Sequence, residues 1–153
     1  MYFDKEIFLP DIEAVDGLEA LHLLAQEFYR KGLVKENYEQ GVIEREKNYP
    51  TGLLINDVGV AIPHTEPERV IIPQIGVAKL KKPVTFRQMA AESDTVEVSL
   101  IFMLAVSVPG EQVEVLQYLM DLFQNRGFTS ELLESGSAKE MKATLKKYKL
   151  LEM

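Results

Sequence analysis

The run Val60-Ala61-Ile62-Pro63-His64 places one of only two histidines at the end of an apolar, strand-like segment. Proline has no N–H and restricts its own φ, so a strand's hydrogen-bond ladder cannot simply continue past Pro63. The imidazole of His64 is thereby delivered near the mouth of a strand. There it can fill a core, bind a ligand, act as a general base or serve as a nucleophile. A metal site is disfavoured, because His22 is the only other histidine and neither HxH nor HExxH spacing occurs. No GxSxG elbow supports a serine-hydrolase triad. The chain has no cysteine, which excludes disulfides, thiolate nucleophiles and Cys-ligated metals. Beside a structural role, His64 retains that of a nucleophile or base working without a metal.

Two further side chains have chemical potential. Tyr38, Val42, Arg45 and Tyr49 recur at helical spacing, so the Arg45 guanidinium sits beside an apolar stripe. A partly desolvated Arg favours an anion, and its fork suits phosphate or carboxylate. Equally, its stem can pack on the tyrosines while its head reaches solvent or a nearby glutamate. Gln112 falls in the first turn of a helix after Pro109-Gly110, on the face of Leu116, Leu119 and Phe123. Helix N-termini attract anions, but a glutamine there can also merely satisfy backbone donors. His22 reads as a boundary histidine with no chemical role. The remaining charges in Glu44-Arg45-Glu46-Lys47 and in 139–149 read as solvated helix faces.

The elements that must position these residues follow from periodicity and caps. Asp16 and Glu19 have capping-box spacing before the stripe Leu18, Leu21, Leu24, Ala25 and Phe28, with Gly32 as the stop. A second helix is expected from Glu36 to about Lys47, ending before Tyr49-Pro50-Thr51-Gly52. Short strands are expected over Leu53 to Ile55 and Val58 to Ile62, joined by a tight turn at Asn56-Asp57. Another strand begins after Pro73 and is broken at Lys81-Lys82-Pro83. Val96 to Val106 is nearly continuously apolar, as expected of a central strand buried on both faces. Helices follow from Glu111 to Gln124, after a cap at Thr129, and after Ser137, whose inner face is Met141, Leu145 and Tyr148. About four strands bracketed by helices give an α/β class, a mixed sheet covered by helices.

The 153 residues suit one domain spanning 1–153. A net charge of −7 argues against general nucleic-acid binding. The segment Met1-Tyr2-Phe3-Asp4-Lys5-Glu6 is too charged for a signal peptide. No apolar run approaches the roughly 20 residues that span a bilayer. A cytoplasmic protein without membrane insertion is expected.

The chain resembles the EIIA component of the sugar phosphotransferase system, of the fructose–mannitol type, and is most similar to galactitol-type EIIA proteins. The resemblance spans nearly the whole chain. It rests on Arg45-Glu46, then Tyr49-Pro50-Thr51-Gly52-Leu53, then Val60-Ala61-Ile62-Pro63-His64, then Val98-Ser99-Leu100 before the late helix. It implies a mannitol-type EIIA fold and a phosphocarrier with no cofactor and no metal. His64 would be the phosphorylated nucleophile, with Arg45 stabilising the phosphoryl group. Mannitol and fructose members open the late helix with a second active-site histidine; that position here is Gln112, as in galactitol-type members. Thr65 stands where many relatives carry Gly, Ala or Cys. The implied partners are HPr as phosphoryl donor and an EIIB cysteine as acceptor, with the membrane component EIIC acting indirectly. A regulatory role, signalling phosphorylation state by protein binding as nitrogen-type EIIA proteins do, is the alternative.

Overall fold

The computed structural model describes residues 2–91 and 93–153. In chain order these form β1 (Phe8–Ile12), α1 (Gly17–Arg30), α2 (Tyr38–Asn48), β2 (Gly52–Ile55) and β3 (Val58–Ala61). Then come β4 (Gln74–Arg87), β5 (Thr95–Ala105), α3 (Glu111–Phe123), α4 (Arg126–Glu134) and α5 (Ala138–Lys147). Short 3-10 turns cover Pro67–Arg69 and Leu150–Glu152.

The strands make one mixed sheet in the order β1-β4-β5-β3-β2. β1 runs parallel to β4 and β3 parallel to β5, whereas β4 with β5 and β2 with β3 are antiparallel. From Leu100 to Ala105, side chains of β5 alternate between two buried clusters. Ile101, Met103 and Ala105 face α1 and α2, while Leu100, Phe102 and Leu104 face α3, α4 and α5. A strand that must bury both faces has no polar positions to offer, which accounts for the unbroken apolar run. Phe102, Phe123 and Phe128 meet in the second cluster, with ring centroids 5.1 Å and 6.2 Å from Phe102. The expected α/β class and mixed sheet flanked by helices are borne out. No helix among the described residues is long and apolar enough to cross a membrane.

Several local expectations need correction. β1 is a fifth strand that periodicity did not reveal; it is short and contains Pro10, which an edge strand tolerates. Lys81-Lys82-Pro83 does not end β4. The strand continues to Arg87, and the ladder to β5 is interrupted between Lys79 and Val84 instead. Leu18 is half exposed, and Ala20 is buried in α1 in its stead. Thr129 is not a cap: Asn125 caps α4, its side chain accepting from the Gly127 and Phe128 amides. Thr129 instead lies buried within that helix. The caps at Asp16 and Ser137 form as expected, each accepting from the glutamate amide three residues on.

Candidate active site

β3 and β5 are parallel neighbours, with Val60 opposite Leu100 and Ala61 opposite Ile101. Their carboxyl ends therefore open on the same edge of the sheet, the usual place for a site in an α/β fold. The chain leaves β3 through Ile62-Pro63-His64-Thr65. It leaves β5 through a loop to Gly110, whose φ of 88° admits glycine readily and starts α3. The two exits meet where the Gln112 side-chain amide donates to the Thr65 carbonyl at 3.0 Å. Pro63 lacks an N–H, yet its carbonyl still accepts from the Leu104 amide at 2.9 Å and holds the exit against β5.

His64 is buried, with 6% of its surface exposed. Its Nδ1 lies 2.8 Å from the Ile62 carbonyl oxygen. A carbonyl only accepts, so Nδ1 carries the proton, and in the neutral ring Nε2 keeps a lone pair. Burial pushes the imidazole pKa below its ordinary value. The Ile62 carbonyl opposes that shift, and the positive charge of Arg45 reinforces it. The neutral form of the ring is thus favoured, and the Nδ1 bond leaves the Nε2 lone pair as its basic position.

Arg45 comes from α2 and is half-buried. Its Nε is enclosed and has no hydrogen-bond partner among the described residues. Its guanidinium carbon stands 5.3 Å from the centroid of the Tyr49 ring. Among the described residues no carboxylate pairs with it. An enclosed, unpaired N–H is unfavourable in isolation and suits an incoming anion.

Glu46 is not the solvated charge that its neighbourhood in the sequence suggests. Its Oε2 accepts from the Thr51 amide at 2.7 Å and its Oε1 accepts from the Thr51 hydroxyl at 2.8 Å. Burial raises the Glu46 pKa, and the two Thr51 bonds pull it back. The Thr51 oxygen in turn accepts from the Ile62 amide at 3.1 Å. The pairing of Arg45-Glu46 with Pro50-Thr51-Gly52 in the sequence carried this signal, but only as part of a motif.

Thr65 is buried, and its hydroxyl donates to Glu66 at 2.7 Å. Gly41 on α2 makes the room: a Cβ there would come within 2.5 Å of the Thr65 hydroxyl and 2.8 Å of Arg69. His22 is exposed on α1 and pairs with Glu39 at 2.8 Å, in keeping with a boundary residue. Among the described residues no group of three or more histidine, aspartate or glutamate side chains gathers to hold a metal ion.

Comparison with known proteins supplies the family. The galactitol-specific EIIA component of the phosphotransferase system from Escherichia coli K12 is 31% identical over 122 residues, covering 80% of this chain and 81% of that protein. The crystal structure of the mannitol IIA protein from Escherichia coli matches with a TM-score of 0.75 at 20% identity, covering 95% of this chain and 99% of that one. The mannitol enzyme IIA of Escherichia coli, solved in complex with phosphorylated enzyme IIB, matches with a TM-score of 0.74 at 21% identity. That match covers 93% of this chain and 95% of the other. The family description "Phosphoenolpyruvate-dependent sugar phosphotransferase system, EIIA 2" matches residues 1–148, and the chain belongs to that family of phosphotransferase components.

Proposed function

We propose that this protein is the phosphocarrier of a sugar or polyol phosphotransferase system. In this reading the whole chain works as one EIIA domain in the cytoplasm. His64 takes a phosphoryl group from the phosphohistidine of HPr and passes it to a cysteine of EIIB, and EIIC then uses it during uptake. A galactitol-type substrate is favoured by the galactitol-specific relative.

The observation that carries the reading is the Nδ1 bond of His64 to Ile62 in a buried ring that feels the charge of Arg45, whose Nε has no partner among the described residues. The Nε2 lone pair attacks phosphorus in line, and the donor's N–P bond breaks with its electron pair returning to the donor ring. The His64 proton stays on Nδ1, where the Ile62 carbonyl stabilises the positive charge that the ring gains. Arg45 neutralises the phosphoryl oxygens, supplying the charge that the reaction needs. Gln112 has a second N–H beyond the one given to Thr65, and this donor serves the same oxygens. Onward transfer to a thiolate runs the same steps in reverse at His64.

Incubation with EI, HPr and phosphoenolpyruvate tests the proposal. The wild type should acquire an acid-labile phosphoryl label that His64→Ala lacks. No label on wild type, or equal labelling of His64→Ala, overturns it. Passage of the label to a cognate EIIB separates a transport role from a purely regulatory one.

A further inference from the structure

We propose that Thr51 is a positioning residue for His64, with Glu46 setting the direction of the hydrogen bonds through which it acts. The inference rests on the reading of His64 as phosphoryl acceptor. The bonds form one directed chain: the Ile62 amide donates to the Thr51 hydroxyl oxygen, and that hydroxyl donates to Glu46. On the other side of the same residue, the Ile62 carbonyl accepts from Nδ1 of His64.

Each link has a physical reason. Gly52 of β2 pairs with Ala61 of β3, so Thr51 is the residue next in register with Ile62. The Ile62 amide is the last strand donor before Pro63, and the Thr51 hydroxyl takes the place of a backbone acceptor for it. A hydroxyl has one proton and can point it either way. An ionised carboxylate only accepts, so both oxygens of Glu46 are turned toward Thr51 donors, and the hydroxyl proton is drawn to Oε1. The Thr51 lone pairs are then left for Ile62. Ile62 itself is fully buried, and the residue before a proline has a restricted ψ. Held at its amide, its side chain and its ψ, Ile62 presents its carbonyl in one place. That carbonyl selects the Nδ1–H tautomer and leaves Nε2 as the nucleophile. A half-buried carboxylate is a costly way to close a helix–strand turn, and its use here is accounted for by the ring that it orients.

Thr51→Val, which keeps the volume and deletes the hydroxyl, is the test. Phosphoryl acceptance from phospho-HPr should slow by about tenfold with the half-saturating phospho-HPr concentration unchanged. The ring nitrogen shifts of His64, read by 15N NMR, should move from a single Nδ1–H tautomer toward an average of two. Thr51→Ser should restore both readouts. A Thr51→Val protein with wild-type rate and unmoved ring shifts overturns the inference. Should Thr51→Val fail to fold, Glu46→Gln gives the same readouts: with its one oxygen on the Thr51 amide, its NH2 faces the Thr51 hydroxyl as a donor and no longer draws that proton away from Ile62. Wild-type rate and shifts there likewise overturn it. A wild type that takes no label sinks the phosphocarrier reading alone, since the ring shifts still decide whether Thr51 orients His64.

Discussion

The side-chain amide of Gln112 donates to the carbonyl of Thr65 at 3.0 Å, and this one bond ties the segment leaving β3 to the helix that follows β5. The residues that it joins are far apart in sequence, and the parallel pairing of β3 with β5 brings them together. It also sets an uncharged, non-titrating donor on the backbone of the residue that follows His64.

Loss of that donor should slow the phosphoryl step without unfolding the protein, because Gln112 is half-buried at a helix start. Gln112→Ala is expected to lower the initial rate of labelling from phospho-HPr by about tenfold. Gln112→Glu places an acceptor-only carboxylate against the Thr65 carbonyl and near the phosphoryl oxygens, and should lower it by about a hundredfold. Rapid-quench labelling measures both, and rates equal to wild type would remove Gln112 from the site.

Arg45→Gln separates catalysis from stability. Among the described residues the Arg45 Nε has no partner to lose, so the thermal midpoint should move little or rise. Labelling should fall by about a hundredfold, as for removal of a charge that stabilises the transition state. The same substitution removes a positive charge that lowers the His64 pKa, so that pKa should rise. An NMR titration of the His64 ring checks the sign, and an unchanged value would mean that Arg45 does not sense the ring.

The buried His64 also makes stability depend on pH. Its folded-state pKa lies below the ordinary imidazole value, so the unfolded chain binds the proton more readily. Stability is therefore full above the ordinary imidazole range. It should fall as pH drops from that range through the lowered folded-state value. Urea denaturation midpoints for wild type and His64→Gln, compared across this window, should diverge on the neutral side and converge on the acid side as wild type loses its advantage. Parallel curves would mean that the ring is not held neutral by its surroundings.

Gly59→Ala should damage the site from a distance. A Cβ at Gly59 would lie 1.8 Å from the Glu97 carbonyl oxygen of β5, so β3 could not keep its place in the sheet. Since Glu97 is backbone that cannot swing aside, the cost should be roughly 3 kcal/mol or more. Chemical denaturation measures it, and labelling of His64 should fall in parallel. A variant within about 0.5 kcal/mol of wild type would mean that β3 can shift freely.

The helices were legible because their signals are local. Asp16 and Ser137 form the expected caps, and the stripe Leu21, Leu24, Ala25 and Phe28 is buried as its spacing predicts. β5 was legible because a strand covered on both faces must be apolar throughout. β1 was not, since five residues with a proline at their centre show no alternation, and pairing with β4 alone defines them. Glu46 was misread as a surface charge because helical periodicity does not reveal that a threonine across a turn will bind both of its oxygens.

What the sequence determined by itself was the choice of side chains: an imidazole after a proline at a strand's end, an arginine beside an apolar stripe, and a glutamine where a helix opens. It also carried the ordered segments that mark the family, and the absence of cysteine that removes thiol chemistry. Tertiary structure alone decided how the side chains are used. It placed the exits of β3 and β5 side by side, left the Arg45 Nε enclosed without a partner among the described residues, and put the proton of His64 on Nδ1 through the Ile62 carbonyl. The division follows from range. Residue type, capping and periodicity act within a few positions of the chain, whereas a tautomer, a desolvated charge and a bond between Thr65 and Gln112 depend on atoms brought together only by the sheet.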